Sequence, residues 1–172
     1  MRRALILFLV SLTAALAASA AFDLDRWEAR RLTAISEARR LRAAYSNAVA
    51  LATTPADKVR LPIENFADGT VKTLLLADQA QLFLDTGMVW GKGVTLEQYR
   101  ADGKLEARIT AASLIADRKR KVCWIEGHAT AVRGRTSLEG ENAYFEAEDG
   151  YLRLFNEAKI MSEDFELKGI KL

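Results

Sequence analysis

All ten glycines of this 172-residue chain lie at or after Gly69, and both prolines, Pro55 and Pro62, stand just before that point. Glycine supplies the turns and left-handed positions that a β-rich chain needs, whereas a long glycine-free stretch suits a helix. The chain therefore has two parts with different folding rules, joined near the prolines.

The glycine-free part itself divides. Met1-Arg2-Arg3 precedes an apolar run from Ala4 through Leu16, which closes on Ala18-Ser19-Ala20. A basic start, an apolar centre and a small-x-small end form a secretory leader, predicted as residues 1–20. The uncharged stretch from Ala4 to Phe22 approaches the ~20 residues a membrane span requires, so an uncleaved anchor is the rival. Cleavage would take away Arg2 and Arg3 and leave acidic and basic residues balanced. Residues 21–58 read as a helical arm and linker. Its helix, over residues 23–51, is rich in Ala, Arg, Glu and Leu, with Asp23 or Asp25 as its cap. Trp27, Ala38, Leu41, Tyr45 and Val49 fall along one face, interrupted by Arg31 and Arg42. That stripe predicts packing on the chain's own domain rather than a free basic arm. Pro55 ends the helix.

From about Val59 the pattern has period two. Lys104 to Ala111 alternates polar and apolar without a break, the signature of a half-buried strand. Lys121 to Ile125 and Tyr151 to Phe155 are apolar on both faces, which predicts cover from both sides. Turn pairs such as Asp68-Gly69, Asp102-Gly103, Glu126-Gly127 and Asp149-Gly150 recur between them. Strands of about five to eight residues at this spacing point to an all-β sandwich or open barrel.

The turns also recur in register. Asp68-Gly69 and Asp102-Gly103 are 34 residues apart, as are Trp90 and Trp124, and Gly93 and Gly127. A unit of strand, turn and strand cannot bury its apolar face alone, so such units stack into one sheet.

Within that sheet region, Val94 to Tyr99, Asp102-Gly103, Ala111 to Asp117 and Ile125-Glu126-Gly127 resemble the OstA-like periplasmic family of lipopolysaccharide export, which includes LptA-like and LptC-like members. Leu138 to Phe145 and Met161 to Gly169 keep the same rhythm. The resemblance covers residues 59–172. It implies an all-β, bent open β-jelly roll built from strand-turn-strand repeats and preceded by the N-terminal α-helix. It also implies a periplasmic protein, anchored in the inner membrane if the leader is retained. The implied cargo is lipopolysaccharide or a related glycolipid. The implied partners are other export components, met through edge strands, and an inner-membrane ABC transporter that supplies energy. The rival is a structural β-repeat scaffold of the cell envelope that self-associates through sheet edges.

Composition and motifs point away from catalysis. One Cys and one His make cysteine-based or histidine-rich metal centres poor readings, and a net charge of +2 argues against a nucleic-acid binder working through bulk charge. No phosphate loop or nucleophile elbow is present, so no enzyme activity, catalytic residue or cofactor is expected. His128 reads as structural or exposed, Cys123 as a small buried apolar residue, and Glu139 and Glu141 as a solvated strand face. Arg118-Lys119-Arg120-Lys121 reads as a hairpin tip, with contact to lipid phosphates at a rim as the sharper possibility. The residues expected to line a lipid groove are Trp90, Leu105, Ile109, Val122, Trp124, Phe145 and Leu154. A register error of one residue would move any strand's members to the other face.

Overall fold

The computed structural model describes residues 2–51, 56–162 and 165–168, and side chains within 26–51 and 56–162. The described residues fall into two units, one ending at Glu37 and the other beginning at Ala38. Helix α1 (Arg2–Leu51) runs through the first unit into the second. It starts well before Asp23, because the Ala- and Leu-rich stretch is itself a strong helix former. Asp23 and Asp25 are therefore interior to the helix and do not cap it. The side chains of the predicted leader lie outside the described residues. Among the residues described, no helix is long and apolar enough to cross a membrane.

In the second unit eight strands form one antiparallel sheet in simple sequence order. They are β1 (Ala56–Asn65), β2 (Val71–Phe83), β3 (Met88–Tyr99), β4 (Leu105–Asp117), β5 (Val122–Arg133), β6 (Thr136–Glu146), β7 (Tyr151–Ser162) and β8 (Phe165–Lys168). Most are about twice as long as the sequence pattern predicts, since pairing continues through a line of irregularities that crosses the sheet. Pro62 sits inside β1, the first strand of the sheet, where a missing N–H need not break a ladder.

Those irregularities form a crease. Lys58, Gly93, Gly127, Asn142 and Glu157 all have positive φ; Lys58 lies near the start of β1, and the others lie mid-strand on β3, β5, β6 and β7. Gly127 N donates to Asn142 Oδ1 at 2.9 Å, which stitches the crease between β5 and β6. Where the register slips, between Ala111 and Ser113, Ile125 and His128, and Glu139 and Glu141, the extra residue bends its strand and increases the local twist. Along the crease the side chains that face inward also change. On β3 the inward set changes from Val89 and Gly91 to Val94 and Leu96; on β4 it changes from Ile109 and Ala111 to Leu114 and Ala116.

The bend lets the sheet curl around its own apolar face. Leu75, Val89, Leu96, Leu114, Cys123, Ile125 and Phe145 belong to one buried cluster there. The β6–β7 turn folds back over this face. Thr73 Oγ1 and Gln98 Nε2 each reach Ala147 O at 3.5 Å, and Lys72 Nζ donates to Glu148 O. The result is a single bent sheet in the open β-jelly-roll manner. The outer edge of β1 and residues 151–158 of β7 have no partner strand on that side among the described residues.

Candidate functional site: the concave face and its cavity

Antiparallel partners share a face, so the register sorts the side chains into rows. One row is Leu96, Ile109, Ala131 and Leu138; another is Ala116, Cys123, Phe145 and Leu152. Both belong to the concave face. Between them a cavity of about 440 Å³ opens toward the β5–β6 turn. Ile109, Ala131, Leu138, Phe145 and Leu152 supply its apolar wall, and Gln98, Arg133 and Tyr151 stand among its lining. That volume lies within the ~300–1,000 Å³ of ligand pockets, which are mostly apolar with a few placed polar groups. Arg133 is largely exposed and bonds to Glu106, so a cation stands beside an apolar chamber.

The opposite, convex face is built differently. Gln81, Trp90, Ile115, Trp124, Tyr144 and Arg153 form one cross-strand row there. The end of α1 covers part of it. Ala38, Leu41 and Ala48 are buried at helical spacing, Tyr45 Oη lies 2.8 Å from Ser113 Oγ, and Arg40 pairs with Asp117 at 2.9 Å. The Arg42 guanidinium lies 5.9 Å from the centroid of the Trp124 ring, and Phe155 meets that ring edge-on at 5.4 Å. The predicted helical stripe holds at Ala38, Leu41 and Tyr45. Trp27 and Val49 are exposed instead, and Ala48 takes the inward place. β5 is thus covered twice, by the core inside and by α1 outside, as its two apolar faces require.

The convex face is also laced by aromatic-to-carboxylate bonds two residues apart. Tyr99 Oη donates to Glu97 at 2.5 Å, Trp124 Nε1 to Glu126 at 2.5 Å, and Tyr144 Oη to Glu146 at 3.1 Å. The Tyr99 hydroxyl, aided by Arg108 at 2.9 Å, holds the buried Glu97 carboxyl below its ordinary range. The same bond pushes the Tyr99 hydroxyl up.

The seven residues expected to line the groove do not share one face. Ile109 and Phe145 line the cavity, and Leu154 packs beside it on the same face. Leu105 alternates with Ala107 onto that side but stands half-exposed at the rim. Trp90, Val122 and Trp124 belong to the convex face, because Trp90 and Trp124 both pair with Ile115 and Val122 pairs with Asp117. Alternation alone missed Ala131, Leu138 and Leu152, which only the cross-strand register places beside Ile109 and Phe145. The remaining candidates do not line the cavity. His128 Nδ1 lies 3.2 Å from Glu141 on an exposed face. Cys123 is fully buried, and burial pushes its thiol up to about 12. Arg118 to Lys121 does form the β4–β5 turn.

No family model matches the chain, and no curated protein does. Among solved structures it is similar to the crystal structure of LptH from Pseudomonas aeruginosa, described as the LptA-homologous periplasmic component of the conserved lipopolysaccharide transport device. The identity is 12% and the TM-score 0.43; the match covers 49% of this chain and 62% of that one.

Proposed function

We propose that the protein is a non-enzymatic lipid carrier of the periplasm, which accepts lipopolysaccharide or a similar glycolipid and hands it on toward the outer membrane. The observation that carries this reading is the apolar cavity on the concave face. A closed sandwich would fill that volume with its own side chains. Here Ile109, Ala131, Phe145 and Leu152 border open space instead. An acyl chain placed there leaves water and gains ~25 cal/mol per Å² of apolar surface buried. Arg133 near the opening suits a phosphate or carboxylate on the same ligand.

The unpartnered backbone of β1 and of the first half of β7 supports the hand-over. An edge strand can pair with the edge of another export component and extend the apolar face from one protein to the next. The leader at residues 1–20 would deliver the chain to that compartment, and an inner-membrane ABC transporter would supply the energy.

A photo-crosslinking residue at Ile109, with Thr110 as the outward control, tests the reading in cells that make the glycolipid. Adducts carrying lipid are expected at Ile109 and not at Thr110, which faces the convex side. Equal labelling at the two positions in a folded protein would overturn the groove and leave the scaffold reading in its place.

A further inference from the structure

We propose that the end of the sheet bearing the β2–β3 and β4–β5 turns docks on an anionic lipid bilayer. Two features that the lipid cavity leaves unused meet at this end. The first is apolar. Leu84, at the tip of the β2–β3 turn, is 85% exposed, and Leu51, at the end of α1, is 62% exposed. Leu51, Phe83 and Met88 line one shallow cleft of about 300 Å³ that Asp85 and Thr86 also enter, and Leu84 stands in the chain between two of its lining residues, Phe83 and Asp85.

The second feature is cationic and is tied to the first. Arg118, Lys119 and Arg120 are exposed on the β4–β5 turn. Arg118 N donates to Gly87 O at 3.4 Å, and the Lys119 methylenes lie over Gly87, 3.2 Å from where a Cβ would stand. The carboxylate beneath this turn is already engaged. Asp117 is buried, pairs with Arg40, and accepts the N–H groups of Lys119 and Arg120 at 3.1 Å. Lys121 is bound to Glu64 at 3.1 Å. The other acidic groups around this turn are Glu126 and Glu146, bound to Trp124 and Tyr144, Asp85 in the β2–β3 turn, and Glu148, whose charge reaches Lys121.

A leucine-tipped turn beside exposed guanidinium and ammonium groups matches a bilayer interface. Leucine enters the boundary between headgroups and acyl chains, and the cations meet lipid phosphates. A protein partner would want a broad complementary surface of ~1,000 Å² or more, whereas a protruding tip suits insertion between headgroups.

The test uses the full chain with a polarity-sensitive dye on Leu84→Cys; buried Cys123, with its raised thiol, does not compete for the label. A second chain carries the dye on Lys104→Cys, in the β3–β4 turn at the opposite end of the strands. Both are mixed with vesicles of equal phosphatidylglycerol and phosphatidylcholine, and with phosphatidylcholine alone. A blue shift, and quenching by nitroxide lipid, are expected at position 84 on the anionic vesicles only. Arg118→Glu with Lys119→Glu should weaken that response roughly tenfold or more. The dye at position 104 should stay in water, whatever the N-terminal segment does. Dye at 84 that stays aqueous, or responds equally on neutral vesicles, overturns the proposal. So does a shift without vesicles that grows with protein concentration, which would assign the tip to a second copy of the chain.

Discussion

Gly93 and Asp78 meet across the β2–β3 ladder so closely that a Cβ on Gly93 would stand 2.1 Å from Asp78 Oδ2. Gly93 also has φ +59, in the left-handed region. It lies on the crease that bends the sheet, and the bend is what gives the concave face its cavity.

Gly93→Ala should therefore cost more than the ~1–2 kcal/mol of left-handed strain alone. Gly103→Ala is the matched control, since Gly103 has φ +76 but nothing within 4 Å of its would-be Cβ. Urea unfolding should place the Gly93 variant below the Gly103 variant by about 1 kcal/mol or more. Equal losses would show that Asp78 swings aside freely and that the close approach does not hold the crease.

The Arg40–Asp117 pair fastens the end of α1 to the sheet. Asp117 also accepts two backbone N–H groups of the β4–β5 turn through Oδ1. Asp117→Ala removes the acceptor of all three donors, which are only part-buried, at a cost of about 1.5–3 kcal/mol. Asp117→Asn keeps an acceptor for the turn and should lose about half as much. Denaturant midpoints measure both; the same midpoint for Asn and Ala would mean that the turn contributes nothing.

The fold was legible because its signals are local. The 34-residue spacing of Trp90 and Trp124 is the length of one hairpin repeat, and in the structure the two stand two strands apart in one row, with Ile115 between them. Which face that row occupies was not legible. Trp124 is flanked by Cys123 and Ile125, both apolar, since α1 covers one side of β5 and the core the other. The crease hides the faces further. On β6 the inward set runs through Leu138 and Gly140 and then moves to Ala143 and Phe145, across Asn142 with its positive φ. No single alternation spans such a strand, so the groove residues could be found only strand half by strand half. Ile109 stands in the unbroken alternation of Lys104 to Ala111 and Phe145 in the repeat rhythm of Leu138 to Phe145, while Ala131 and Leu152 need the register.

Acid should loosen the convex face through Glu97. Its carboxyl is held low, first by the Tyr99 hydroxyl and then by Arg108. A depressed carboxyl stabilises the fold above the unfolded value of about 4.3, and the contribution is lost as pH falls through the folded value. Tyr99→Phe removes the larger cause, so its carboxyl should titrate nearer the ordinary range. At about pH 7 the variant should be less stable than the parent by about 1 kcal/mol, and the gap should narrow as pH drops below about 4. Urea midpoints across that range check it; a gap that stays constant in acid would mean that the bond does not couple to Glu97.

The two faces of the sheet should separate in a pair of substitutions. Trp124 is buried on the convex side, under Arg42 and against Phe155, so Trp124→Ala leaves a hole there and should cost about 3–5 kcal/mol. It does not touch the cavity, and whatever folded protein remains should still take up lipid. Ala131 borders the cavity beside Ile109 and Leu138. Ala131→Phe puts a ring into open space, where overpacking strain should stay at or below the low end of the ~1–3 kcal/mol seen in filled cores. It should leave the unfolding midpoint near the parent's and sharply reduce the lipid adducts formed from a crosslinker at Phe145. If Ala131→Phe folds normally and lipid labelling at Phe145 is undiminished, the cavity is not the lipid's seat. If Trp124→Ala, folded at low temperature, is the variant that loses labelling, the carrier surface lies on the convex face with the tryptophans.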